Sequence, residues 1–61
     1  MPIVKVELLA GRTREQKAAA AREITAAIER SLGVKPENTM VLFQDIEKSD
    51  WATAGKLADE T

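Results

Sequence analysis

Three residues carry the chemistry that this chain offers: Pro2, Arg12 and Trp51. The chain opens Met1-Pro2-Ile3, and a start methionine ahead of a small residue is normally clipped in the cell. Its removal leaves proline as the N-terminus, a secondary amine on a rigid ring. Such an amine can take a proton from carbon or oxygen and return it nearby. An unperturbed α-amino group titrates near ~8. An apolar wall and a nearby guanidinium both disfavour its cation and draw that value toward neutrality, which is the tuning a general base needs. With no His and no Cys in the chain, few other bases work near neutral pH. If Met1 stays attached, the Pro2 nitrogen is a tertiary amide and has no basic lone pair. Most prolines at position two do no chemistry, so Pro2 gains weight only beside the other two residues. Arg12 can hold a carboxylate through two parallel hydrogen bonds; its bland alternative is a solvated turn arginine. Trp51 can wall a site and exclude water; its bland alternative is a core or interface aromatic. Glu7, Asp45, Glu47 and Asp50 show no spacing that demands acid–base work, and they read as solvated or interface charges.

The elements that must position these residues follow from periodicity. Pro2 to Leu9 reads as a strand, with Val4, Val6 and Leu8 on one face and Ile3, Lys5, Glu7 and Leu9 on the other. Gly11 punctuates a turn at Ala10-Gly11-Arg12. Thr13 is a good helix N-cap, and Gln16 three residues on completes a capping box. The helix is expected from about Arg14 to Leu32, Ala-rich and free of Gly and Pro, with Gly33 as its stop. Ala20, Ile24, Ala27, Ile28 and Ser31 form its apolar stripe, with Ala21 and Leu32 at the margins and Arg14, Lys17, Arg22, Glu29 and Arg30 largely outside it. A turn containing Pro36 leads to a second strand over Thr39 to Ile46. That strand is apolar on both faces and so expected to be covered on both. Strand, helix and strand of these lengths make a right-handed βαβ unit with parallel strands. Trp51 to Gly55 reads as a short hairpin arm and Lys56 to Thr61 as a polar tail. The predicted class is α+β: two parallel strands, one long helix and a C-terminal arm, in a single domain over residues 1–61.

Size and composition narrow the partners. A chain of 61 residues buries only ~60% of its unfolded surface and is marginal alone. Disulfides, a metal or oligomerisation normally compensate. No cysteine excludes disulfides, and the lack of both His and Cys argues against a zinc or iron site, so no metal or cofactor is expected. Oligomerisation remains, since one helix covers only one face of the sheet. The net charge is −1 without a basic block, and the aromatics are only Phe43 and Trp51, which does not suit nucleic acid. No apolar run reaches membrane-spanning length and no signal-peptide pattern opens the chain, so a cytoplasmic protein is expected.

The whole layout resembles the 4-oxalocrotonate tautomerase family, small members of the tautomerase superfamily with an amino-terminal proline. The residues that carry the resemblance are Pro2-Ile3, Leu9-Ala10-Gly11-Arg12-Thr13, Glu15-Gln16-Lys17, Ser31-Leu32 and the stretch Trp51 to Gly55. The resemblance implies a βαβ subunit assembled into dimers and a hexamer, most simply of identical chains. It implies an isomerase that interconverts enol and keto forms of a small 2-oxo acid, such as 2-hydroxymuconate or an arylpyruvate enol. Pro2 would match the catalytic proline, Arg12 the carboxylate-binding arginine, Trp51 the aromatic wall and Leu9 a site-lining position. The arginine and the aromatic would come from neighbouring subunits. The dicarboxylate tautomerases of the family carry a second arginine near the start of strand two, where this chain has Met40. A thioether cannot hold a carboxylate, so a monoacid enol is at least as suitable a substrate as 2-hydroxymuconate. The alternative is a family member that has lost the chemistry, or one chain of a hetero-oligomer whose partner supplies the missing cation.

Overall fold

The structure, a computed structural model, describes residues 1–60. Strand β1 spans Ile3–Leu9, helix α1 Arg14–Leu32 and strand β2 Met40–Ile46. Single 3₁₀ turns at Pro36–Asn38 and Lys48–Asp50 flank β2. A hairpin of β3 (Ala52–Thr53) and β4 (Lys56–Leu57) ends the described chain. β1 and β2 pair in parallel, from Ile3 opposite Met40 to Leu9 opposite Ile46. Parallel strands need a long crossover, and α1 supplies it.

Local chemistry sets the boundaries of α1. The Thr13 side chain accepts from the Gln16 amide at 3.0 Å while the Gln16 side chain accepts from the Thr13 amide at 2.9 Å, completing the capping box. Gly33 closes the helix in the left-handed region, φ 69°, and its amide donates to the Glu29 carbonyl. Only a residue without a Cβ adopts that conformation freely. The strands start one residue later than periodicity indicates. Pro2 joins the ladder only through its carbonyl, which accepts from the Met40 amide at 3.0 Å; proline has no N–H to donate.

The apolar faces sort as expected on the helix side and stay open on the other. Val4, Val6, Leu8, Val41 and Phe43 are half-buried beneath α1. On the far face Ile3, Met40 and Leu42 remain 66%, 45% and 50% exposed. The two-face coverage expected for β2 is therefore met on one face only within a single chain, because no second layer exists. The helix stripe also ends earlier than expected. Ser31 and Leu32 are exposed, and the Ser31 hydroxyl donates to the Ala27 carbonyl at 2.6 Å instead of packing. Lys56 and Leu57, expected in a polar tail beyond the hairpin arm, pair back antiparallel with Thr53 and Ala52. The two residues between the strands, Ala54 and Gly55, both have positive φ, the twist that tight hairpins require. Of the polar tail expected over Lys56 to Thr61, Thr61 lies outside the described residues.

No described residue is fully buried. The accessible surface is 4857 Å², against about 3900 Å² for a compact monomer of this size. The radius of gyration is 14.5 Å, against roughly 10–11 Å for a compact chain of this length. The excess area is on the order of the ~800 Å² that one partner contributes to a standard protein interface. Among the described residues, no helix is long and apolar enough to cross a membrane.

Candidate active site

The five predicted site residues fall into two groups at opposite ends of the sheet. At one end the Pro2 carbonyl is bonded to the Met40 amide, and Ile3 faces Met40 across the ladder. The surroundings are apolar and open. While Met1 is attached, the Pro2 nitrogen lies within a peptide bond.

Leu9 and Arg12 stand at the other end, and Trp51 follows the β2 end there by five residues. Leu9 ends β1 opposite Ile46, and the Ala10 amide donates to the Ile46 carbonyl at 2.9 Å, which fixes the start of the turn. Gly11 has φ 128°, open to glycine and strained for other residues, and it redirects the chain so that Arg12 precedes the helix cap. Trp51 is half-buried after the second 3₁₀ turn. Its amide donates to the Lys48 carbonyl and its carbonyl accepts from the Ala58 amide, so the hairpin arm holds it on both sides.

The separation follows from strand geometry. Six residue steps at ~3.3 Å each place Ile3 roughly 20 Å from Leu9. An arginine side chain does not bridge that span. The proline and the arginine of one chain therefore do not share a site.

Arg12 does border a hollow. Together with Val6, Leu8, Lys17, Ile24 and Phe43 it lines a groove of about 230 Å³ between α1 and the sheet. A larger hollow of about 360 Å³ on another flank of α1, bordered by Arg22, Thr25, Glu29 and Pro36, contains none of the predicted residues. Lys17, which borders this groove, is paired with Asp45, a residue expected to be a solvated or interface charge. The Lys17 ammonium lies 2.8 Å from an Asp45 carboxylate oxygen, tying the first turns of α1 to the end of β2. Asp45 is in phase with Val41 and Phe43 on the helix side, and Lys17 is in phase with Ala20 and Ile24 on the sheet side.

The comparisons with known proteins agree with this architecture. Residues 2–60 match the family described as Tautomerase enzyme. A probable tautomerase of Ralstonia nicotianae is 43% identical over 60 residues, covering 98% of this chain and 92% of its own. A 2-hydroxymuconate tautomerase of Comamonas testosteroni is 35% identical, covering 98% of this chain and 95% of its own. A solved heterohexamer 4-oxalocrotonate tautomerase from Chloroflexus aurantiacus superposes with a TM-score of 0.92 at 28% identity, over 98% of this chain and 97% of that one. The fold and these likenesses define a small βαβ enzyme of the isomerase class. The chain belongs to the tautomerase family.

Proposed function

We propose that this tautomerase interconverts the enol and keto forms of a 2-oxo acid at sites built from more than one copy of the chain. Pro2, freed by removal of Met1, is the base and the acid. Its nitrogen takes the enol O–H proton and the resulting ammonium returns a proton to carbon, so the substrate is isomerised with no net change in protons. Arg12 of a neighbouring copy grips the carboxylate and stabilises the charge that builds on the oxygen system. Trp51 and Leu9 wall the pocket and keep water away.

The observation that carries this reading is the placement of Pro2 and Arg12 at opposite ends of a strand with a free edge. β1 is paired only with β2. Two β1 edges running antiparallel would set Pro2 of one copy against Leu9 and Arg12 of the other, twice by symmetry. The surplus exposed area has the size such an interface requires. Further association through the open face of Ile3, Met40 and Leu42 would give the hexamer.

Met40 beside Pro2 makes that end apolar, so the preferred substrate has one carboxylate and an apolar remainder, as in an arylpyruvate enol. An ultraviolet assay of enol loss tests the assignment. Pro2→Ala should cost about 10²–10⁴-fold in kcat, and Arg12→Ala about 10–100-fold in kcat/KM. Wild-type rates in both variants would refute it.

A further inference from the structure

We propose that Lys17 is a positioning residue whose task is to keep Asp45 away from Arg12. The inference rests on Arg12 being the carboxylate-binding group. Among the described residues the Lys17–Asp45 bridge is the only ion pair, and Arg12 has no acidic partner. Arg12 and Lys17 nevertheless border the same groove. Asp45 sits opposite Leu8, one step before the Ala10–Ile46 hydrogen bond that opens the turn leading to Arg12. Asp45 is thus the carboxylate whose ion-pair partner shares a groove with Arg12. A substrate carboxylate and Asp45 present the same chemistry to a guanidinium, and Asp45 is tethered and always present. Lys17 neutralises it at 2.8 Å, with both side chains partly shielded, 26% and 42% exposed.

The geometry fits this division of labour. Lys17 follows the Thr13 cap by four residues, and its amide donates to the Thr13 carbonyl at 3.1 Å, so its backbone is fixed by the first turn of α1. The ammonium is thereby committed to β2, while Arg12, one residue before the cap, stays outside the helix and free to turn to a neighbouring copy. Removing Lys17 leaves the Asp45 charge without its ion-pair partner, beside the groove that Arg12 borders. Arg12 would then be drawn onto its own chain and away from the substrate.

Steady-state kinetics on the enol of phenylpyruvate, with the full-length assembled protein, test this. Lys17→Met should raise KM about tenfold with kcat changed less than about twofold, because the lost step is binding by a charge-assisted contact. Lys17→Met with Asp45→Asn should return KM to within about threefold of wild type, since the competing carboxylate is gone. Lys17→Arg should keep the wild-type KM. If the double variant binds as poorly as Lys17→Met, the competition does not exist and the proposal falls. If Arg12→Ala leaves KM unchanged, the carboxylate-binding role of Arg12 fails first and takes this inference with it. Should Lys17→Met assemble poorly, Lys17→Gln takes its place, alone and with Asp45→Asn, and the same two KM outcomes decide.

Discussion

The two ends of the β1–β2 sheet are built from the same pair of strands and differ in what they offer a ligand. The Pro2 end is apolar and loosely covered, with Ile3 and Met40 exposed beside the first ladder hydrogen bond. The Arg12 end is polar and locally braced by a capping box, an ion pair and a hairpin that holds Trp51. One end presents the nitrogen that can move a proton; the other presents the cation that can hold an acid. Strand length keeps them roughly 20 Å apart within one chain. On the proposed function, a site that needs both is a property of the assembly.

The strongest test of this contrast mixes two dead variants. Assemblies of Pro2→Ala alone or Arg12→Ala alone should have lost most activity. Chains co-assembled from both should regain it at about a quarter of the sites under random mixing, where an intact Pro2 meets an intact Arg12 from another copy. Tandem-tag purification of the mixed species followed by the enol assay measures this. No recovery would mean that both groups come from one chain, which the strand length forbids, or that one of them is not in the site.

A second change makes the two ends alike. Met40→Arg adds a cation beside Pro2, on a residue already 45% exposed and backed by the Pro2 carbonyl. It should raise kcat/KM for a dicarboxylate such as 2-hydroxymuconate by about 10–100-fold, the worth of one charge-assisted hydrogen-bonded contact. The enol of phenylpyruvate should gain nothing. Equal gains for both substrates would show that the added charge acts on the proton transfer itself rather than on a second carboxylate.

Much of this arrangement was legible in the residues themselves. Period-two alternation in Val4-Val6-Leu8 and the Thr13–Gln16 capping box are local signals, and each is written within a few residues of where it acts. Gly33 marks the helix end because the left-handed backbone there suits a residue without a Cβ. The hairpin arm is legible from Trp51 to Gly55, but its second strand runs on to Lys56-Leu57, too short and polar to show a strand pattern, and alanine at position 54 is a poor advertisement for positive φ. Lys17 and Asp45 are 28 residues apart, so their pairing depends on how α1 lies across β2 and no local pattern declares it. The two-group division of the site was likewise beyond periodicity alone. It follows once the parallel register is known, and the family resemblance pointed to it by assigning the arginine to a neighbouring subunit.

The smallest expected effects separate bracing from bulk stability. Thr13→Ala removes the cap beside Arg12 and should cost about 1 kcal/mol. Gly33→Ala, at the far end of α1, forces a side chain into the left-handed region and should cost about 1–2 kcal/mol. Denaturant titration of the two variants should therefore give similar losses, with Gly33→Ala the larger. Their kinetics should diverge. Thr13→Ala loosens the residue that follows Arg12 and should raise KM a few-fold, whereas Gly33→Ala should leave KM unchanged at a temperature where both remain assembled. Were KM to rise equally in both, the braced turn at Gly11-Arg12-Thr13 would have no special part in presenting the guanidinium, and its order would serve the fold alone.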